Sequence, residues 1–259
     1  MGESLLQYLS VAEARARPGL RLVLTAGVPG PWGEAAKAVL ALRQVPFAAV
    51  EQAAMMPNAD LVAWTGHRNA PIACLDDEPP LTGWHEILLL AERLGRGPSL
   101  LPESASDRAL CLGLCLELAG HDGFGWNRRH QIMGAHLDNG AVDPALAEMA
   151  RAYGVNAASI ARAPARLVAI MAGLADRLRS QHEAGSRYLV GTALSAADVY
   201  WACFSMMVSP LAQAVNPMPE WLRPLYAACD PAVQAALEPV LIEHRDMIYH
   251  RHIGLPLDY

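Results

Sequence analysis

The side chains best suited to bind an anion lie in the run Gly123-Phe-Gly-Trp-Asn-Arg-Arg-His130. Two glycines interrupt a helical pattern there, and two arginines and a histidine follow Trp126. Guanidinium groups bind carboxylates or sulfonates through paired hydrogen bonds. Arg129 is therefore the candidate contact, and Arg128 the second choice, because neighbouring helical residues face about 100° apart. The alternative is a solvated pair of arginines after a bend, and we expect His130 to be structural.

Backbone N–H groups at helix starts are a second source of anion-binding chemistry. Gly30-Pro31-Trp32-Gly33 follows a predicted strand, and none of its side chains donates as serine or tyrosine would. The N–H groups of Trp32, Gly33 and Glu34 begin a helix and can stabilise an anion. Trp32 lies between glycines and prolines, where an apolar side chain often contacts a ligand. Packing in the core is the alternative.

A similar helix start lies within Leu81-Thr-Gly-Trp-His-Glu-Ile87. Thr82 and the N–H groups near Gly83 can bind an anion there. Trp84 follows at the next position, as a candidate apolar wall or as a core residue. Glu86 is expected to point elsewhere on the helix.

Neither the cysteines nor the histidines predict a metal site. An odd number of scattered cysteines, five in all, indicates reduced and mostly buried thiols. Cys111 and Cys115 lie one helical turn apart and as metal ligands would need His121 or His130, but their apolar neighbours favour core packing. No zinc motif, phosphate loop or nucleophile elbow is present.

The elements that position these residues fall into two halves. In the first, alternation and helical spacing predict strand, helix, strand, short helix, hairpin and helix. The predicted elements are Leu20–Thr25, Glu34–Leu42, Pro46–Val50, Ala59–Trp64, the strand within Asn69–Leu75, and Thr82–Leu94. A helix over residues 4–17, with a capping box at Ser10 and Glu13, precedes them.

The second half is nearly free of predicted strands. Helices are expected over Asp107–Ala119, from Asp143-Pro144, from Pro164 towards His182, from Ser195, and from Asp230-Pro231. Within Leu194-Ser-Ala-Ala-Asp-Val-Tyr200, Ser195 caps the helix and the Asp198 carboxylate accepts backbone N–H bonds. Asp198 is thus predicted to be structural.

This order of elements, with Leu194–Tyr200 after Tyr188-Leu-Val-Gly191, resembles the glutathione transferases over roughly residues 20–250. The resemblance implies an α/β thioredoxin-like N-terminal domain and an all-α C-terminal domain. The predicted division is a helical extension over 1–19, the thioredoxin-like domain over 20–97 and the helical domain over 98–259. It also implies a homodimer.

The resemblance further implies glutathione as co-substrate and a cis bond between Ala70 and Pro71, which turns the preceding backbone towards the ligand. Two departures accompany it. Gly83 and Trp84 stand where the family has an acidic residue and the serine that holds the γ-glutamyl carboxylate. The loop at Trp32 lacks the catalytic Ser, Cys or Tyr, so no catalytic residue is assigned. The predicted binding residues are Trp32, Gly33, Asn69, Ala70, Pro71, Gly83, Trp84, Trp126 and Arg129, with His67 an alternative to Asn69.

Two functions remain open at this point. One is an enzyme that binds glutathione or a related thiol in the inter-domain cleft and transfers it to an apolar electrophile. The other is a non-catalytic binding protein that keeps the fold and holds another anionic or aromatic ligand. Either takes a small-molecule ligand.

Bulk composition narrows the partners. A net charge of −6 without a long basic run argues against nucleic acid. No run of 18 uninterrupted apolar residues predicts a membrane span, and the first residues do not resemble a signal peptide. A cytoplasmic protein is the expectation.

Overall fold

The computed structural model describes residues 6–137 and 144–259, with backbone alone at 136, 137 and 145. The expected helix start at Asp143 lies outside the described residues. The chain divides into two compact units. The first unit contains Met1–Leu100, Leu211–Pro219 and Gly254–Tyr259, and the second contains Leu101–Pro210 and Glu220–Ile253.

A four-stranded sheet forms the centre of the first unit. Its strands are β1 (Tyr8–Leu9), β2 (Leu20–Thr25), β3 (Ala48–Gln52) and β4 (Ile72–Leu75), in the order β1-β3-β2-β4. β3 is parallel to both β1 and β2, whereas β4 is antiparallel to β2 and pairs Leu20 with Leu75. Almost every β2 and β4 side chain is buried, as expected for strands covered on both faces.

The helices of the first unit are α1 (Val11–Arg15), α2 (Pro31–Leu42), α3 (Ala59–Thr65) and α4 (Trp84–Leu94). α2 and α4 pack against each other through apolar faces, and α3 ends at Gly66 in the left-handed region (φ 76°). These bounds confirm the predicted order of elements from Leu20 onwards. Before it, the Ser10–Glu13 capping box starts α1 at Val11, so the helix is shorter than 4–17 and follows a strand.

Helices form nearly all of the described part of the second unit. They are α5 (Ala105–Ala119), α6 (Phe124–Leu137), α7 (Pro144–Ala152), α8 (Ala157–Glu183), α9 (Ala196–Ser205), α10 (Leu222–Ala227), α11 (Pro231–Ala235) and α12 (Pro239–Ile248), followed by a π turn at Tyr249–Ile253. The run from Gly123 begins α6, and does not bend an existing helix.

The start of α8 differs from the prediction. Pro164 does not open the helix; it lies inside, and Asn156 caps the start by accepting from the Ser159 N–H at 3.0 Å. Proline favours a first turn, and inside a helix it removes one backbone hydrogen bond, a cost that the packing of this long helix offsets. α8 packs against α6, α11 and α12. By length and composition alone it is also apolar enough to cross a membrane, a test that core helices pass as well.

The cap of α9 confirms the structural role predicted for Asp198. One oxygen of its fully buried carboxylate accepts from the N–H and hydroxyl of Ser195, at 2.8 and 2.7 Å. The other accepts from the Leu189 N–H at 2.7 Å and lies 3.0 Å from Nε2 of His244. The carboxylate therefore joins the start of α9 to the preceding loop and to α12.

Candidate functional site

The start of α2 provides fewer donors than the sequence suggested. Gly30 is the cap residue and makes no side-chain cap. The Glu34 N–H, counted as a free donor in the prediction, bonds the Gly30 carbonyl at 2.9 Å. The Gly33 N–H donates to none of the described residues. A β-carbon at Gly33 would lie 3.3 Å from Leu24, so this turn packs tightly on β2.

The nearest hydroxyl to this loop is already used. Thr25 ends β2, and its hydroxyl donates to Oε1 of Gln52 at 2.7 Å. The following residues 26–33 contain no serine, threonine, tyrosine or cysteine. A thiolate at this loop would therefore be stabilised by backbone N–H groups and the helix dipole.

An ion pair lies one turn into α2. The Glu34 carboxylate is 2.8 Å from the Lys37 ammonium, and both side chains are nearly buried. Burial raises the pKa of Glu34, and Lys37 opposes the shift. Lys37 also donates to the Asp258 carbonyl and lies over the Tyr259 ring. The lysine therefore holds the chain's last residues against α2.

The backbone before β4 is open for pairing. The Ala70–Pro71 bond is cis, as predicted. β4 is an edge strand, and on its outer side Ala73 exchanges two backbone hydrogen bonds with Leu81, at 2.8 and 2.9 Å. Ala70 makes no hydrogen bond with the described residues. Asn69 is exposed beside it.

The start of α4 is capped by the protein itself. Glu86 was expected to point elsewhere, but its Oε2 accepts from the N–H groups of Gly83 at 2.7 Å and Thr82 at 3.2 Å. Three residues separate Gly83 from Glu86, which is the spacing of a capping box. The prediction missed it because the first position is glycine and not serine or threonine.

At Gly83, a side chain would crowd the groups that form this cap. A β-carbon on Gly83 would lie 2.8 Å from Glu86 Oε2 and 2.9 Å from the His85 ring. Trp84 is half-buried and packs edge-on against His85, with ring centroids 5.5 Å apart. Glycine at position 83 therefore leaves space for the Glu86 carboxylate that caps α4.

The sheet brings the predicted residues of the first unit to one end. Val23, near the end of β2, pairs with Ile72, directly after Pro71. The Trp32–Gly33 turn follows β2 at this end. The chain returns from the hairpin through Leu81, opposite Ala73, and so delivers Gly83 to the same end.

The two predicted residues of the second unit belong to an aromatic cluster. The Trp126 ring lies 4.3 Å from His121 and 4.9 Å from Tyr153, centroid to centroid. Arg129 lies over the Tyr153 ring and donates to its hydroxyl at 2.7 Å. Nε2 of His130 lies 2.9 Å from the Tyr153 carbonyl, in keeping with its expected structural role.

Arg128 is a structural residue and not an anion contact. Its side chain is 2% exposed and donates to backbone carbonyls of Met207, Leu225, Tyr226 and Ala228 at 2.6–3.3 Å. Burial lowers its pKa. The guanidinium thereby fastens α6 to the chain around α10. Both Cys111 and Cys115 are buried in α5, consistent with core packing.

No protein-family model matches the sequence, and no curated protein does. Solved structures do match the fold. A glutathione S-transferase from Xanthobacter autotrophicus Py2 is 20% identical, with 92% of this chain and 97% of that one covered and a TM-score of 0.55. The beta-etherase LigF from Sphingobium sp. strain SYK-6 is 16% identical, with 88% and 99% covered and a TM-score of 0.57.

A third similar structure, a glutathione S-transferase from Methylobacterium radiotolerans JCM 2831, is a complex with glutathione sulfonate. It is 16% identical, with 87% of this chain and 93% of that chain covered and a TM-score of 0.54. Similarity at such identities establishes a shared fold.

Proposed function

We propose that this chain, whose fold is that of the glutathione transferases, binds glutathione or a related thiol peptide beside Ala70. The same fold holds glutathione sulfonate in the Methylobacterium radiotolerans structure. The proposed residues in the first unit are Trp32, Gly33, Asn69, Ala70, Pro71, Gly83 and Trp84.

The observation that carries the proposal is the unbonded backbone of Ala70. Its N–H and carbonyl precede an edge strand, where an extended peptide can add as a short strand. Main-chain pairing of this kind selects a peptide-like ligand and is independent of side chains. It therefore survives the loss of the family's serine.

The thiol of such a ligand would point to the Trp32–Gly33 turn. The Gly33 N–H and the positive end of α2 favour a thiolate there. At the other end of the ligand, the Glu86 carboxylate occupies the Thr82 and Gly83 N–H groups, and Trp84 replaces serine. We therefore expect weak binding, with the γ-glutamyl arm in an altered position.

Thiol transfer to an apolar electrophile is the catalytic form of the proposal. The alternative, a non-catalytic binding protein, is favoured by one observation: the Thr25 hydroxyl is committed to Gln52. Trp126 and Arg129 remain the proposed contacts for the apolar electrophile, or for the anionic or aromatic ligand of a binding protein. Their position in an inter-domain cleft stays a prediction. An anion at Arg129 would share the guanidinium with the Tyr153 hydroxyl.

A ligand series tests the backbone contact without altering the protein. Calorimetric titration should detect glutathione, whereas glutathione N-methylated at the cysteine amide should bind at least about fivefold more weakly, because one main-chain donor is gone. Equal affinity for both peptides would contradict pairing at Ala70. A conjugation assay with an apolar electrophile then separates the enzyme from the binding protein.

Trp84→Ser tests the altered γ-glutamyl end. The substitution restores a hydroxyl at the α4 start and removes a bulky ring, so glutathione affinity should rise. Unchanged affinity, with ligand density found elsewhere, would exclude this end of the sheet. Tryptophan fluorescence of the unaltered chain reports binding through Trp32 and Trp84.

A homodimer in the cytoplasm, without nucleic-acid or membrane partners, completes the proposal. α5 supports the dimer, because Leu110 and Leu116 are 36% and 53% exposed, and a β-carbon on Gly113 would meet nothing within 4 Å. Such an apolar face favours burial against a second copy. Sedimentation velocity should show a dimer that Leu116→Arg dissociates; a monomer at all concentrations would refute it.

A further inference from the structure

A cavity of 520 Å³ lies at the other end of the sheet in the first unit. Its apolar lining comes from Leu20, Val45, Pro46, Leu75 and Leu94. Small-molecule sites commonly enclose about 300–1,000 Å³ and are mostly apolar with few polar groups. β2 runs from this cavity to the α2 start, which separates it from the Ala70 end by about 17 Å of strand.

The polar lining consists of one amide and one cation, Gln44 and Arg96. Both side chains are exposed, and the Arg96 guanidinium makes no hydrogen bond or ion pair with the described residues. No acidic residue lines the cavity. The rim therefore carries one positive charge without a counter-ion in the described part of the chain.

The neighbouring acids are already engaged. Asp76 accepts from the Gly19 N–H at 2.6 Å, and Glu78 pairs with Arg93 at 2.5 Å. Glu92 lies 3.2 Å from Nε of the buried Arg43. These contacts hold the three carboxylates in place and leave the charge of Arg96 available to a ligand.

The walls of the cavity are fixed in place by backbone bonds. The Arg43 carbonyl accepts from the N–H of Arg96 at 3.0 Å and of Gly97 at 3.1 Å. On the facing side, the Val45 N–H bonds Leu40 and the Gln44 N–H bonds Ala41, at 2.8 and 2.9 Å. A cavity formed this way loses little entropy when a ligand enters.

We infer that this cavity is a second ligand site, one that takes a small amphipathic monocarboxylate. The apolar body of the ligand packs on Leu20, Leu75 and Leu94, and its carboxylate pairs with Arg96. Gln44 donates from its amide to the same carboxylate. The site is separate from the glutathione proposal and does not depend on it.

Three ligands with one tail and different head groups test the site. Calorimetry of the full chain should show that decanoate binds most tightly, decanol less tightly and decyltrimethylammonium least tightly. One equivalent of decanoate should bind. Arg96→Glu should weaken decanoate about fivefold and leave decanol unchanged, since an exposed ion pair contributes up to about 1 kcal/mol. Arg17→Glu, at an exposed arginine of the same unit, should change neither.

Leu94→Asn tests the apolar contact and should weaken all three ligands, with the fold checked by circular dichroism. Equal affinity of the unaltered chain for decanoate and decanol would overturn the inference, as would an Arg96→Glu variant that binds decanoate normally. Displacement of decanoate by glutathione would place both in one site and refute it. Arg96-dependent sedimentation with phosphatidylcholine vesicles would assign the cavity to a membrane instead.

Discussion

At the scale of single residues, Glu86 occupies the backbone donors at one end of the proposed ligand site. Its carboxylate accepts from the Thr82 and Gly83 N–H groups, which would otherwise be available to donate to a ligand carboxylate. The two anions compete for the same positive helix end. If the proposed site binds glutathione, the γ-glutamyl carboxylate must therefore compete with a carboxylate of the protein itself.

Replacing Glu86 with alanine should separate its role as the cap of α4 from its competition with a ligand. The free energy of unfolding should fall by about 1 kcal/mol, because the cap is lost. Glutathione affinity should rise, because the N–H groups of Thr82 and Gly83 become available. Calorimetry and thermal melts measure both quantities, with Asp77→Ala as the control for loss of one exposed negative charge. Lower affinity in the Glu86 variant would show that the carboxylate helps to position the ligand.

His252 should make stability depend on pH. Burial lowers its pKa below the ordinary value of 6.5, Arg251 acts in the same direction and Asp198 opposes them. Just below pH 6.5 the unfolded chain binds a proton at His252 that the folded chain does not bind. The free energy of unfolding therefore falls as the pH drops from 6.5 towards the folded-state pKa. Above pH 6.5 the imidazole is neutral in both states, and His252 no longer lowers the free energy of unfolding.

His252→Gln should flatten this dependence. Melting temperatures of the two proteins, measured from acid to neutral pH, should differ by a constant amount above 6.5 and converge or cross below it. Parallel melting curves over the whole pH range would mean that His252 does not cause the loss of stability in acid. Nε2 of His252 lies 3.1 Å from the Tyr188 hydroxyl, so the glutamine amide can keep a polar partner there.

At the scale of elements, what the sequence revealed depends on the range of the interaction. The Asp198 cap was predictable because Ser195 and Asp198 are three residues apart. Strands β2, β3 and β4 were predictable from alternation and turn residues, whereas the two-residue β1 lay inside a predicted helix. The Arg128 contacts were not, because their acceptors lie about 80–100 residues away. Pro164 misled the prediction because its preference for first turns is only statistical.

The neighbouring arginines of α6 offer a matched comparison. Arg128→Met leaves four backbone carbonyls without their donor, two of them in the buried residues Met207 and Tyr226, and should lower the free energy of unfolding by about 3 kcal/mol. Arg129→Met removes the contacts with the Tyr153 hydroxyl and ring and should cost about 1 kcal/mol. Chemical denaturation measures both. Similar losses for the two variants would contradict the structural role assigned to Arg128.

At the scale of the whole molecule, the first unit is assembled from distant parts of the chain. Residues 211–219 and 254–259 belong to it, joined by the Leu257 N–H and the Val215 carbonyl at 2.8 Å. The Tyr259 hydroxyl donates to Asn216, and Lys37 of α2 donates to the Asp258 carbonyl. The glycine- and proline-rich linker predicts a boundary near residue 97. No local sequence pattern indicates that residues 211–219 and 254–259 belong to the first unit.

Removing residues 254–259 should therefore loosen α2. The lysine loses its carbonyl and aromatic partners, and the two hydrogen bonds from the tail to Val215 and Asn216 disappear, so amide exchange in the first turns of α2 should accelerate. Exchange in α8, which belongs to the other unit, is the internal control. If α2 amides kept their protection while the tail was gone, the tail would be a passive surface segment.

The composite first unit also sets an order of events during translation. A nascent chain folds from its amino end, and units usually form as they leave the ribosome. Here the sheet and α2 emerge early, but the segments that complete them follow more than a hundred residues later. α2, which begins at the turn proposed to hold a thiolate, therefore gains its contacts with Asp258 and Tyr259 only after the helical unit has been made, and a prematurely terminated product would lack them.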